Sequence, residues 1–205
     1  MKVIAHRGHS RLYGDNNIES FRKAIECGEF DILEMDIQVN KRGTIVINHD
    51  LLLDHRKEYL TLKEVLDCIE IPDRMKIYLD LKGHVEIVAT LEQFFIDNYQ
   101  FDITQFIVCS FNINYLRLFK LPFEFGFITS NCFSTRTLKD LLDDRISYFV
   151  VEWSVLSQLT VLWCKDRGIQ VYAYTPDTDD QVNYALRFDL DGVVLNSPMS
   201  SFKLE

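Results

Sequence analysis

Residues 33–50 read LEMDIQVNKRGTIVINHD, and this stretch decides how the strands of the chain are counted. Glu34 and Asp36 stand two apart in a β-rich run, so both side chains point to one face of a strand. Too few positions separate Asp36 from His49 for a strand, a crossover helix and a second parallel strand. The polar residues and glycine of 40–43 favour a β-hairpin turn instead. Folding about this turn is expected to place Asp36 opposite His49.

With the hairpin's return run 44–50 set aside, eight β-rich runs remain, and they alternate with helical patterns. The predicted strands are 2–5, 30–36, 76–82, 105–110, 123–128, 146–152, 169–175 and 191–195. The predicted helices are 17–27, 61–70, 84–98, 112–119, 135–143, 155–167 and 178–187, with caps expected at Asn17, Thr61, Asn112 and Thr135. Such alternation is typical of βαβ units and a parallel sheet.

Eight strands separated by helices within 205 residues predict an α/β protein, a compact (βα)8 TIM barrel. A β-hairpin extends strand 2, and little or no insertion domain is expected. An open, doubly wound sheet is the alternative. The length and the 47% share of hydrophobic residues favour a single domain over residues 1–205.

The net charge and the hydropathy exclude several function classes. The formal charge of -9 opposes docking onto nucleic acid or an anionic membrane, which requires clustered basic residues. No run approaches the ~18 apolar residues of a membrane span, and the apolar stretch at the N-terminus is too short for a signal peptide. We therefore expect a cytoplasmic protein, in which an anionic substrate requires a local positive charge such as a metal ion.

Polar side chains collect at the carboxyl ends of the predicted strands, where barrel enzymes carry their catalytic residues. They are His6, Arg7 and Gly8 after the first strand, Glu34 and Asp36, Asp80 and Lys82, Ser110, and Glu152. The three strand-end acids Glu34, Asp36 and Asp80 would repel one another unless a cation lay among them. All-oxygen ligation favours Mg²⁺ or Ca²⁺ over zinc. The alternative, a surface hairpin with solvated acids, explains poorly why the neighbours of Glu34 and Asp36 in the chain are apolar.

Two histidines are predicted to flank this metal site. His6 and His49 can act as general acid and general base near neutral pH. Arg7 offers a fork of donors suited to a phosphate or a carboxylate. His55 and His84 have no paired acid at strand spacing, so we expect both to be solvated.

The order of these motifs resembles the glycerophosphodiester phosphodiesterase family. That family opens with a strand and HRG, continues through a PENT-like turn and a helix, and then shows E-x-D, a hairpin and HD. The corresponding stretches here are VIAHRGHS, GDNNIESFRKAIECG and FDILEMDIQVNKRGTIVINHD. Four further stretches match the family pattern more weakly and extend the resemblance to the C-terminus: YLDLKG, VCSFN, VYAYTPD and LDGVVLNSP.

The resemblance implies a role for each site residue. His6 and His49 would be the acid/base pair, Arg7 and Lys82 would bind the phosphate, and Glu34, Asp36 and Asp80 would bind a divalent cation, Mg²⁺ or Ca²⁺. The implied activity is metal-dependent hydrolysis of a small-molecule glycerophosphodiester to an alcohol and glycerol 3-phosphate. In the family a neighbouring glycerol hydroxyl can attack phosphorus before water completes the hydrolysis.

Several positions depart from the family pattern. Asp80 stands where the third ligand is usually Glu, and Asp15 replaces the Glu of the PENT turn. Asn196 replaces the closing Asp, and Tyr174 replaces a Trp. The stretch between His49 and Asp80 is short for the family, which predicts an open site.

Two other functions remain open at this stage. The chain also resembles sphingomyelinase D-type phospholipases, which have an Asp third ligand and release a cyclic phosphate from lysolipids. A barrel that binds phosphodiesters without catalysis is the other alternative.

Overall fold

A computed structural model, which describes residues 1–54 and 57–205, shows a sheet closed into a barrel. Its strands are β1 Lys2–Ala5, β2 Ile32–Val39, β3 Ile45–Ile47, β4 Lys76–Leu81, β5 Phe106–Ser110, β6 Glu124–Thr129, β7 Ile146–Glu152, β8 Gln170–Tyr174 and β9 Gly192–Leu195. All except β3 are parallel to their neighbours. The first strand closes the ring because β1 pairs with both β2 and β9. The predicted eight-stranded parallel barrel is confirmed, and the open-sheet alternative is wrong.

Helices follow the strands as the alternation predicts. They are α1 Ser10–Tyr13, α2 Ile18–Cys27, α3 Leu62–Cys68, α4 Glu86–Asp97, α5 Ile113–Leu118, α6 Thr135–Leu141, α7 Gln158–Lys165 and α8 Asp179–Ala185. The short α1 was not predicted from the sequence. Between β3 and β4 the described residues form only α3 and loops, as expected for a barrel with little insertion.

One helix cap and the starts of two helices differ from the prediction. The helix predicted over 84–98 begins at Glu86. The cap of α6 is Ser134, whose hydroxyl accepts from the Thr137 N–H, so Thr135 is the first helical residue. The helix predicted over 155–167 begins only at Gln158 because Trp153–Val155 forms a separate 3-10 turn. The caps predicted at Asn17, Thr61 and Asn112 are confirmed.

The predicted hairpin exists, but its register differs by one residue from the expected one. Ile37 pairs with Ile47 across antiparallel β2 and β3, and the Asn48 N–H donates to the Asp36 carbonyl at 3.1 Å. Asp36 is therefore opposite Asn48 rather than His49. The reason is a turn with three residues between Asn40 and Thr44, in which Gly43 has a φ of 76°.

The inward face of the barrel changes character along each strand. Inward apolar side chains fill its lower part: Ile4, Ile32, Tyr78, Ile107, Cys109, Ile128, Tyr148, Val150, Tyr172 and Val194. Side chains alternate between the two faces, so Glu34 and Asp36 follow Ile32 on the inward face of β2. On β4, Asp80 follows Tyr78 in the same way, and the register places Asp36 beside Asp80. The acids therefore lie directly above an apolar core.

Among the described residues, no helix has both the length and the apolar character needed to cross a membrane. His84 is exposed, as predicted. The prediction for His55 lies outside the described residues.

Candidate active site

The turn after β1 places Arg7 in contact with the carboxylates of Glu34, Asp36 and Asp15. Arg7 has a φ of 56°, and its backbone N–H donates to Glu34 Oε2 at 2.6 Å. Its guanidinium Nε lies 2.9 Å from Asp36 Oδ2, and Nη1 donates to Asp15 Oδ2 at 2.8 Å. The left-handed backbone thus brings both the main chain and the side chain of Arg7 to the acids at the end of β2.

The three predicted acids meet in the interior of the barrel mouth. Glu34, Asp36 and Asp80 are 2%, 1% and 7% exposed, and ligand atoms from all three lie within 4.8 Å of one another. Burial raises the pKa of Glu34 well above its usual range, and the charges of Asp36 and Asp80 raise it further. Burial also raises the pKa of Asp80, to about 6. The raised pKa values indicate that nearby positive groups do not fully compensate the charges of the three acids.

Lys82 supplies part of the compensating positive charge. Its Nζ lies 2.7 Å from Asp80 Oδ2 and 3.3 Å from Asp36 Oδ1. Burial alone would lower the pKa of Lys82, but the two carboxylates outweigh it and raise the pKa. The ammonium also lies 5.1 Å from the centre of the Phe111 ring.

The acidic cluster has the donor set of a divalent cation site. Asp80 Oδ1 is buried and has no hydrogen-bond partner in the part of the chain that the structure describes. The cations of Arg7 and Lys82 are shared among the three cluster acids and Asp15, so the cluster keeps residual negative charge. Closely spaced carboxylate oxygens with residual negative charge fit a hard ion such as Mg²⁺ or Ca²⁺.

The two predicted histidines have different surroundings. His6 Nδ1 lies 2.7 Å from Asn196 Oδ1, and burial lowers the pKa of His6, with a further contribution from the charge of Arg7. The side chain of His49 is 44% exposed, and its Nδ1 lies 2.9 Å from Asp50 Oδ1. The hydrogen bond from His49 lowers the pKa of Asp50. His6 therefore has a neutral amide partner, whereas His49 has a carboxylate partner.

A cavity of about 300 Å³ brings most of the predicted residues together. It is lined by His6, Arg7, Glu34, His49, Asp80 and Lys82, with Phe111, Trp153 and Tyr174 as aromatic walls. Asp36 is not part of the lining, because its carboxylate is covered by Arg7 and Lys82. Of the other strand-end residues, Glu152 lines the cavity and Ser110 instead accepts a hydrogen bond from the Asn112 N–H.

Asn16 contacts the site and was not predicted from the sequence. Its amide donates to Asp36 Oδ2 at 2.8 Å, and its Oδ1 accepts from the Asp36 N–H at 3.2 Å. Its own N–H donates to the Arg7 carbonyl at 3.1 Å, and its φ is 53°. The available signal is the stretch GDNN, because Asn tolerates the left-handed region better than most residues.

Comparison with known proteins supports the relationship inferred from the motifs. The sequence model of the glycerophosphoryl diester phosphodiesterase family matches residues 6–67, which include both histidines, Glu34 and Asp36. A glycerophosphodiester phosphodiesterase from Caldanaerobacter subterraneus subsp. tengcongensis is 23% identical, over 98% of this chain and 96% of the relative. This relative therefore belongs to the enzyme class that the sequence motifs predict for the chain.

Solved structures share the fold along almost the whole chain. One is a phosphodiesterase from Oleispira antarctica in complex with the product sn-glycerol-3-phosphate, with a TM-score of 0.79 and 20% identity. The match covers 98% of this chain and 94% of that one. Another is a glycerophosphodiester phosphodiesterase from Thermotoga maritima, with a TM-score of 0.76, 21% identity, and coverage of 98% and 96%. The motif match, the near full-length relative and the shared barrel all make the chain similar to the glycerophosphodiester phosphodiesterase family.

Proposed function

We propose that the protein hydrolyses glycerophosphodiesters to an alcohol and glycerol 3-phosphate in a divalent cation-dependent reaction, within one barrel domain spanning residues 1–205. The observation that carries the proposal is the convergence on one cavity of two histidines, two cations and two of three clustered acids. The product bound to the Oleispira antarctica phosphodiesterase supports glycerol 3-phosphate as the product here.

The acids and cations of the cavity would bind the metal and the phosphate. Glu34, Asp36 and Asp80 would hold Mg²⁺ or Ca²⁺, which when bound stabilises negative charge on the phosphoryl oxygens. Arg7 and Lys82 both line the cavity and carry donors for the same oxygens. Their bonds to the acids also fix the position of these two cations before substrate binds.

The histidines would move the protons. One removes a proton from the glycerol 2-hydroxyl, whose oxygen attacks phosphorus, and the other protonates the alkoxide as its bond to phosphorus breaks. This step yields the alcohol and a cyclic phosphate. In the second step water attacks phosphorus, the two histidines exchange roles, and the ring opens to glycerol 3-phosphate. Each histidine ends the cycle in its starting protonation state.

The test is release of glycerol 3-phosphate by chelated protein before and after Mg²⁺ or Ca²⁺ is restored. Glycerophosphocholine, glycerophosphoethanolamine and lysolipids form the substrate panel. We expect turnover only with restored metal, and a loss of ~10²-fold or more in H6A and H49A because each lacks an acid or base. Glu26 is exposed on α2, so E26Q is the matched control for E34Q. E34Q should lose turnover while E26Q keeps it. Metal-independent turnover, or an E34Q variant as active as wild type, would contradict the proposal.

A further inference from the structure

The ring of His6 is held by a chain of hydrogen bonds that leads away from the cavity. Its Nδ1 lies 2.7 Å from Asn196 Oδ1, and the Ser10 hydroxyl donates to the same oxygen at 3.1 Å. Asn196 Nδ2 donates to Asp177 Oδ1 at 2.9 Å. Arg11 completes the chain by donating to Asp177 Oδ2 at 3.1 Å.

The direction of this chain decides which way the Asn196 amide faces. A carboxylate oxygen of Asp177 can only accept, so the NH₂ group of Asn196 must face Asp177. Its carbonyl oxygen then faces His6. Because that oxygen can only accept as well, His6 must carry its proton on Nδ1. In the neutral ring, Nε2 is then left as a free proton acceptor, and the His6 side chain lines the cavity.

His49 offers no such arrangement. Its Nδ1 faces the carboxylate of Asp50, which is 90% exposed, and the described part of the chain shows no hydrogen bond between an amide and its ring. A carboxylate partner suits the doubly protonated ring of a general acid. The two histidines are therefore not interchangeable.

We propose that Asn196 and Asp177 are positioning residues that hold His6 as the Nδ1–H tautomer, so that His6 begins each reaction as the general base. The tautomer follows from the hydrogen bonds alone, whereas the base role rests on the proposed phosphodiesterase function. The family pattern has an aspartate at the position of Asn196. In this chain the carboxylate belongs instead to Asp177, which accepts a hydrogen bond from the Asn196 amide.

The proton movements follow from this assignment. His6 Nε2 accepts the proton of the glycerol 2-hydroxyl as that oxygen bonds to phosphorus, and His49 gives its proton to the departing alkoxide as the P–O bond breaks. In the second step His49 accepts a proton from water, and His6 Nε2 returns its proton to the 2-oxygen as the cyclic phosphate opens. Protons and electron pairs therefore balance over the cycle.

The experiment reads the tautomer and the turnover separately. Histidine labelled with ¹⁵N is incorporated into the full chain, the H6A variant assigns the His6 signals, and spectra are recorded at about pH 8, where histidine rings are normally neutral. We expect wild type to carry its proton on Nδ1. N196L and D177L should lose this preference and lower kcat roughly 10- to 100-fold, with little change in KM, because neither residue lines the cavity.

An exchange variant separates positioning from damage to the fold. In N196D/D177N the carboxylate and the amide change places, so both hydrogen bonds can form again. We expect this variant to recover the Nδ1–H tautomer and most of the lost kcat. If the two substitutions acted independently, their losses of kcat would instead add. Asp179 lies nearby on α8 and accepts from the Lys203 N–H, outside the chain of bonds, so D179A is the matched control.

Two results would overturn the inference. One is a wild-type His6 that carries its proton on Nε2. The other is an N196L variant that keeps both the tautomer and the kcat of wild type. Wild-type protein that hydrolyses no phosphodiester with metal would overturn the proposed function and the base role together, while the spectra still decide the tautomer.

Discussion

Asp36 is the most heavily bonded carboxylate of the acidic cluster. Arg7 and Asn16 contact its Oδ2, Lys82 contacts its Oδ1, and the Asn16 side chain also accepts from its backbone N–H. The carboxylate is held before any ligand arrives, and Asn16 binds both its side chain and its main chain. Such outer contacts normally set the orientation of a metal ligand.

Replacing Asn16 by Gly tests this contact. Gly adopts the φ of 53° without strain, so the turn should persist, and the free energy of unfolding should fall by about 1–3 kcal/mol because buried groups of Asp36 lose their partner. The loss of both bonds to Asp36 should weaken Mg²⁺ or Ca²⁺ binding about 10-fold. Calorimetric titration of the metal and urea unfolding measure the two effects. N114A, on α5, is the control. Unchanged metal affinity in N16G would show that the contact of Asn16 with Asp36 does not influence metal binding.

At the residue scale, strand spacing was sufficient to align Glu34 with Asp36. The same spacing on the next strand places Asp80 beside them, since β2 and β4 are neighbours in the barrel. Asn16 could not be predicted in this way. Its contact depends on a left-handed backbone in an irregular turn, which no periodic pattern reports.

At the scale of elements, the turn after β1 is packed directly against α2. Gly8 has a φ of 84°, and a Cβ at this position would lie 2.5 Å from Ser20 Oγ and 2.7 Å from the Ser20 carbonyl carbon. Ser20 is fully buried and donates through its hydroxyl to the Arg7 carbonyl at 3.0 Å. The helix therefore fixes the turn that directs Arg7 toward the acids.

The G8A variant should damage both stability and activity. The added methyl must displace backbone atoms, so we expect a loss of more than about 2 kcal/mol in the free energy of unfolding. The same shift moves the Arg7 N–H away from Glu34 and should reduce turnover. Gly28 has a φ of 72° with nothing within 4 Å of its would-be Cβ, so G28A should cost only about 1 kcal/mol and leave turnover intact. Equal unfolding curves for G8A and G28A would contradict this account.

Elements were predicted well where their periodicity was strong. The hairpin of β2 and β3 followed from the distance between Asp36 and His49, but its register did not. Turn length decides register, and the three-residue turn between Asn40 and Thr44 relies on Gly43 rather than on hydrophobic spacing.

At the scale of the whole molecule, the barrel places uncompensated acids on top of its apolar core. Because the pKa of Glu34 is raised in the folded state, the folded protein binds this proton more tightly than the unfolded chain. Metal-free stability should therefore fall as the pH rises above the ordinary Glu value toward neutrality. Ionisation of the acidic cluster therefore lowers the stability of the metal-free protein.

Urea unfolding of metal-free wild type and E34Q at pH 5 and at pH 7.5 measures the loss of stability that comes with ionisation of Glu34. Gln has no proton to lose, so E34Q should be more stable than wild type at the higher pH. The difference should shrink at the lower pH. An E34Q variant less stable than wild type at both values would contradict the prediction.

The barrel itself was predictable because eight apolar strands alternate with amphipathic helices. Closure of the barrel depends on a long-range contact, the pairing of β1 with both β2 and β9. Local sequence patterns do not contain this information. The chain of bonds from His6 through Asn196 to Asp177 is of the same kind. It joins the first strand to residues near the end of the sequence, so it becomes visible only in the folded molecule.

A ³¹P NMR time course of a glycerophosphodiester with metal-restored wild-type protein tests the phosphodiesterase activity and its metal dependence together. We predict that the substrate resonance is replaced by that of glycerol 3-phosphate, and that chelation stops the conversion. A cyclic phosphate that persists as the final product, or an unchanged substrate resonance in the presence of Mg²⁺ or Ca²⁺, would contradict the account.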